Sequence, residues 1–456
     1  MNKKIILIIV ISLISVPGSL VGMDLDKNLE KNCKATIDSK TKAAVVDTVN
    51  RLLIEQYIFP DVAEQMKDHL HNKLKNGDYQ EINSPIDFAE TLRQDLYEIS
   101  KDNHFFIEFN PERAEILKAK ESQSKEEVEK ANQILFADAR WNNFGFRKVE
   151  ILKGNIGYLN ISFLANPEHG GETAVAAMNL LAHSDAVIID LRGTPGGWPT
   201  MVQLICSYFI KGIDSEGRTH LNSFERRFNN SLEQFWTISY VPGKHMYDME
   251  LYILTDRYTA SGAEELTYNM KNLKRATIIG ETTAGAAHNI EYKVIQECFV
   301  MHLPTGRPIN PISGTNWERT GIEPDITVKS GDALDRAYLM ALEKSLKEAK
   351  AENQIFQTNW AIDGLRAKLH PVEVDQKILK KYAGDYGERK VQFENGELFY
   401  QRTGPKFRLI PLKENLFAVE GLDSFRIEFV MDAAGRVTEL IGLYDIGYKD
   451  SSKRIK

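Results

Sequence analysis

Cysteine is scarce in this sequence: three occur in 456 residues, Cys33, Cys206 and Cys298, and none lies in a Cys-x-x-Cys pair. That argues against a disulfide-stapled scaffold and a thiolate zinc site, and leaves core packing as the expected source of stability. Cys206 falls in an apolar helical pattern and reads as a buried, inert thiol. Long hydrophobic runs are lacking too. The apolar run from Ile5 to Val16 is far short of the roughly 20 residues that span a bilayer. An excess of positive charge is also missing. Net charge is −7 and the basic residues are scattered, so no electrostatic footprint for nucleic acid is present. Neither GxxxxGK[ST] nor GxGxxG occurs, which discounts a nucleotide.

What is there fits a folded chain of two or three packed units, with 43% hydrophobic and 27% charged residues. Lys3 and Lys4, the apolar run to Val16 and then Pro17, Gly18 and Ser19 read as a secretory signal peptide over residues 1–22, cleaved near Gly22. Export to a periplasmic or extracellular location is expected. No cysteine follows the small residues, so neither lipidation nor a stable membrane anchor is expected.

From 40 to 111 the apolar spacing of Val45, Val46, Val49, Leu52, Leu53 and Tyr57 predicts a helical N-terminal domain. It ends in Asp102-Asn103-His104-Phe105-Phe106-Ile107, where the period turns towards a strand. A charged linker occupies 112–141. Between 142 and 346, short apolar runs such as Ala186 to Leu191 and Leu251 to Leu254 alternate with amphipathic helices, as in an α/β layer with strands buried on both faces. From 374 to 448, alternating runs separated by Asn395-Gly396, Gly404-Pro405 and Gly435 predict an accessory all-β barrel or sandwich.

Ser261 stands directly after a buried strand and before a helix, where a turn can expose a nucleophile and helix amides favour adjacent negative charge. Ser261-Gly262-Ala263-Glu264 is equally a capping box, which explains the same residues without catalysis. A second strand-to-helix turn, Asp190-Leu191-Arg192-Gly193-Thr194-Pro195-Gly196-Gly197-Trp198, carries paired glycines that let backbone amides approach a ligand closely. Amides of Gly196 or Gly197, with that of Gly262, can form an oxyanion hole.

The ordered segments IGYLNI, VIIDLRGTPGGW, LTDRYTASGAEEL, KRATIIGETTAGAAH and NWERTGIEPDI, from about Asn155 to Val328, resemble the C-terminal-processing (tail-specific) serine peptidase family. The likeness is greatest to the branch that includes interphotoreceptor retinoid-binding protein, whose N-terminal domain the segment ending in DNHFFIEF resembles. The resemblance implies a crotonase-like α/β spiral and places the nucleophile on Ser261. Many members pair it with a lysine after GE-x-T. Here Gly285-Ala286-Ala287-His288 stand there, and Lys271 and Lys274 have no matching position. Tricorn-type core peptidases carry a histidine ahead of the catalytic domain and a glutamate before G-x-x-P-D; these fall on His104 as base and Glu318 as its orienter, with His288 as a competing base. The inserted peptide-binding module of many members is not evident.

The expectation is an exported serine peptidase acting on peptide or protein substrates through an acyl-enzyme, with no cofactor and no metal. The alternatives are a carrier of hydrophobic ligands on the same fold, and an esterase or amidase of small substrates. Oligomeric state is not legible.

Overall fold

The computed structural model describes residue 33 and residues 35–102, 104–122 and 136–455. The expected signal peptide and much of the linker lie outside them. Three helices open the described chain: α1 (Ser39–Gln56), α2 (Pro60–Asn76) and α3 (Pro85–Ser100). Their starts follow from local chemistry. Asp38 and Ser84 accept from the N–H groups of Thr41 and Asp87, and Pro60 and Pro85 sit in the first turn, where no intrahelical N–H is needed. Val45, Val49 and Leu53 are fully buried, each burial stabilising by about 1.5–3 kcal/mol. The partners of this apolar stripe are not only helical. Ile295, Phe299, Met301 and Leu303 belong to the same core.

Those residues lie on strands of an antiparallel sheet in the order β1 (Phe106–Phe109), β10 (Phe299–Ile309), β5 (His220–Arg226) and β6 (Ser231–Trp236), with β9 (Asn289–Ile295) also paired to β10. Here one expectation needs correction. Cys33 and Cys298 form a disulfide, with Cα atoms 5.8 Å apart, tying the approach to α1 onto the β9–β10 hairpin. Core packing is therefore not the sole fastening of the fold. Cys206 is free and buried, as its setting suggested.

A second sheet has six strands in the order β11 (Ile326–Thr327), β8 (Thr277–Gly280), β7 (Glu250–Thr255), β4 (Ala186–Asp190), β3 (Ile156–Ile161) and β2 (Phe146–Leu152), parallel except at β2. Every residue of β4 is buried. Val187 and Ile189 face one core with Met178, Leu181 and Ile205, while Ala186 and Ile188 face another with Ala333, Ala337 and Leu342 of helix α8 (Ala333–Glu348). Burial on both faces explains the uninterrupted apolar run.

The last unit is an eight-stranded antiparallel meander from Gly384 to Lys453. It is nearly closed, since the N–H of Ile455 donates to the carbonyl of Asp385 in the first strand at 2.8 Å. Its core is its own: Tyr382, Tyr386, Leu398, Phe417, Ile427 and Phe429 among others. The architecture is thus mixed α/β with a C-terminal barrel-like sheet. Among the described residues, no helix is long and apolar enough to cross a membrane.

Candidate active site

The turns after β4 and β7 are stitched together. Thr259 donates its hydroxyl to the carbonyl of Leu191 at 2.9 Å, Gly193 N–H donates to Asp256 Oδ1 at 3.0 Å, and Ala260 N–H donates to the carbonyl of Thr194 at 2.9 Å. The stitching drives Ser261 to φ 50°, ψ −121°, a region that residues with a Cβ rarely occupy. Ser261 immediately precedes the helix Gly262–Asn272. The glycines opposite have no room for side chains. A Cβ on Gly196 would lie 2.7 Å from both the Gly262 nitrogen and Ser261 Cβ, and one on Gly197 would lie 2.2 Å from the Leu164 carbonyl oxygen. Among the described residues, the amides of Gly196, Gly197 and Gly262 donate to no backbone or side-chain acceptor. Unclaimed N–H groups beside a serine are what a developing oxyanion requires.

Glu264, three residues into the same helix, is fully buried. Its carboxylate accepts from the N–H of Ser261 at 3.0 Å, from Gly285 N–H at 2.7 Å, from Ala286 N–H at 2.9 Å and from the Thr283 hydroxyl. Burial raises its pKa, and these hydrogen bonds oppose that rise. The next two amides, of Ala287 and His288, donate to Glu318 Oε2 at 2.9 and 3.1 Å. Two carboxylates thus hold four consecutive N–H groups and join the Ser261 turn to a histidine pair.

That pair is assembled by strand register. β1, which begins at Phe106 just after His104, pairs with β10 on one side, and β9, which begins at Asn289 just after His288, pairs with β10 on the other. The rings of His104 and His288 accordingly stand 5.8 Å apart, centroid to centroid. Asp102 bridges them. His288 Nδ1 lies 2.9 Å from Asp102 Oδ2, and His104 Nδ1 lies 3.3 Å from Asp102 Oδ1. Asp102 also accepts the backbone N–H of His104 at 2.9 Å and the Tyr57 hydroxyl at 3.3 Å. Glu318 Oε1 is 3.2 Å from His104 Nδ1.

Burial alone would raise the Asp102 carboxyl, but the two histidine rings outweigh it and hold Asp102 below the ordinary carboxylate range. Burial alone would lower His104, yet Asp102 and Glu318 together push it up to about 10. A ring so held keeps its proton at neutral pH and becomes an acceptor as the solution turns alkaline. Both carboxylates address Nδ1, which leaves Nε2 as the nitrogen that can exchange a proton with a substrate or nucleophile.

Of the residues singled out from the sequence, Ser261, Gly196, Gly197 and Gly262 lie at one end of this chain of contacts and His104, His288 and Glu318 at the other, linked through Glu264 and residues 285–288; among the described residues no hydrogen bond joins the Ser261 hydroxyl to either ring. Lys271 is not part of it, since it occupies the last turn of the helix that Ser261 begins and pairs with Asp325 at 3.2 Å. Two residues escaped the sequence reading. Glu264 was visible as the capping-box partner of Ser261, though not as the link to residues 285 and 286. Asp102 was visible two positions before His104, but its bridging place depends on the β1–β10 register.

A model of peptidase family S41 matches residues 155–328, and a model of the N-terminal domain of peptidase S41 in eukaryotic interphotoreceptor retinoid-binding protein matches residues 27–139. Among curated proteins, the carboxy-terminal processing protease CtpB of Bacillus subtilis (strain 168) is 26% identical over 197 residues, which are 42% of this chain. The chain spans only 37% of that relative's length. Among solved structures, the photosystem II D1 C-terminal processing protease aligns with TM-score 0.42 and 14% identity, over 64% of this chain and 94% of that one. The tricorn protease aligns with TM-score 0.29 and 20% identity, over 47% of this chain and 18% of that one.

Proposed function

The chain belongs to peptidase family S41, a family of serine peptidases with C-terminal-processing members, and from that premise we propose that it hydrolyses peptide bonds in protein substrates through an acyl-enzyme on Ser261. The observation that carries this reading is the strained backbone of Ser261, φ 50°, held against glycines whose amides are unclaimed. In this reading His104 takes the serine proton at Nε2, Glu318 and Asp102 hold the ring through Nδ1, and amides of Gly262 with Gly196 or Gly197 receive the oxyanion. His288 is read as support for Asp102 rather than as the base because its side chain is only 2% exposed, against 10% for that of His104. A crotonase-like spiral is the finer fold reading that accompanies this assignment.

Export is part of the same proposal. Its support is the Cys33–Cys298 bridge, a feature of oxidising compartments.

The test is labelling of the purified protein with a fluorophosphonate probe. The parent should label and Ser261→Ala should not; equal labelling of both would sink the assignment. Because His104 is raised, the labelling rate should climb on the alkaline side of neutrality. Hydrolysis of a small ester with no cleavage of any peptide would move the reading to an esterase.

A further inference from the structure

We propose that the cluster of Asp102, His104, His288 and Glu318 is also a binding site for a divalent transition ion of the zinc class, and that the bound ion silences His104 as a base. Each residue offers one donor atom, and the four donors lie within 4.8 Å of one another. A tetrahedral zinc site with bonds of about 2.0–2.2 Å has donor-to-donor edges of about 3.3–3.6 Å. The approaches between these groups are of that order, through different oxygens of each carboxylate: His288 Nδ1 lies 2.9 Å from Asp102 Oδ2 and 3.7 Å from Glu318 Oε2, and His104 Nδ1 lies 3.3 Å from Asp102 Oδ1 and 3.2 Å from Glu318 Oε1. Two imidazoles with two carboxylates are a donor set that suits zinc.

The second observation is an orphan. The Glu318 side chain is 7% exposed; its Oε2 takes both backbone amides, while its Oε1 has only the His104 Nδ1 at 3.2 Å, too poorly aligned to count as a hydrogen bond. A buried carboxylate oxygen with no well-aligned hydrogen bond costs free energy, and a cation between it and the rings would satisfy it. The outer shell is already in place. The amides of Ala287 and His288 fix Glu318, and Tyr57 O–H with His104 N–H fix Asp102.

The consequence follows from bonding. An ion on Nδ1 uses that nitrogen's lone pair, so a neutral His104 ring must carry its proton on Nε2, where it donates and cannot accept. The binding claim stands alone; the silencing claim rests on the reading of Ser261 and His104 above.

The experiment adds Co2+ to metal-free protein and reads visible absorption and ion stoichiometry in the parent, Ser261→Ala, Glu318→Gln and His288→Gln, with circular dichroism on each. One ion per chain with tetrahedral absorption is expected in the parent and in Ser261→Ala. Glu318→Gln should weaken binding by more than about 100-fold, since losing even an outer-shell partner costs roughly 10–100-fold. Parent binding that is absent, or unchanged in both folded ligand variants, overturns the site. Fluorophosphonate labelling of the parent should fall when Zn2+ is added and return with chelator, and undiminished labelling at saturating Zn2+ overturns the silencing. If the metal-free parent never labels, the hydrolase reading fails, silencing fails with it, and the absorption result still decides the ion site.

Discussion

The N-terminal helices and the C-terminal barrel both attach to the α/β layer, but they do so differently. The helices share their core with β9 and β10, are bolted there by Cys33–Cys298, and lead into the segment that supplies Asp102 and His104. The barrel keeps a core of its own and meets the rest across a polar seam. Trp360 Nε1 donates to the carbonyl of Asp423 at 2.8 Å, Arg426 stacks 3.9 Å from the Trp360 ring, and Lys153 pairs with Asp445 at 2.6 Å. A region that shares a core cannot be moved without moving the site; one joined by a seam can. The alternating pattern from 374 onward and the helical pattern from 40 to 111 do not reveal this difference, because shared cores arise from contacts distant in sequence.

The largest effect should come from the side chain that the N-terminal region delivers. His104→Ala should lower kcat by about 10³–10⁴-fold in a chain that circular dichroism shows to be folded, whereas His288→Ala should cost far less. A His104→Ala protein with parental turnover would remove the N-terminal region from catalysis and collapse the contrast between the two flanks.

Next in size is the bolt. The bridge closes a loop of 265 residues. Cys33→Ser should lower unfolding free energy by about 2–4 kcal/mol, read from the denaturant midpoint, and reduction of the parent should give the same loss. An unchanged midpoint would mean that the shared core alone fixes the helices.

A smaller effect belongs to the layer between the two flanks. Glu265, next to the bond-making Glu264, is buried beside Cys206 without an ion pair among the described residues, and burial raises its pKa to about 8. The sign is fixed by linkage. Below its ordinary value both states hold the proton. Between there and about 8 the unfolded chain ionises while the folded one does not, so stability falls as pH rises, by roughly 1 kcal/mol per pH unit. Urea midpoints of Glu265→Gln, compared with the parent across pH 5 to 8, should lack that slope. The same pH series on the barrel alone should be flat with respect to this group, since Glu265 lies outside it.

How much of this was legible depends on how local the signal is. Ser261, Gly196 and Gly197 could be read because strand, turn and helix follow within a dozen residues. The barrel was legible for a similar reason, since hairpin after hairpin declares itself by alternation and turn glycines. His104 and Glu318 entered only through resemblance, because nothing near either residue says that they meet. Asp102 and the pairing of Cys33 with Cys298 stayed hidden. The first needs the β1–β10 register and the second joins positions with no shared local pattern.

The smallest effect expected is that of removing the barrel. No residue from Gly384 onward touches Ser261, Glu264, Glu318 or the histidines by any hydrogen bond or ion pair among the described residues. A chain ending at Leu369 keeps the helix Glu352–Leu369 and its packing on the β3 and β4 side of the sheet, while exposing Trp360, now 7% exposed. Exposing that one ring costs on the order of 2 kcal/mol, too little to unfold a core of this size. Turnover of a small activated ester should therefore stay within about threefold of the parent, a barrier change of under about 1 kcal/mol. Cleavage of a folded or extended protein substrate is the more sensitive measurement, because a barrel that walls the approach to Ser261 acts only on large substrates. Loss of ester turnover in a truncation that remains folded would show that the barrel shapes the site itself, and the two flanks would then differ in attachment but not in role.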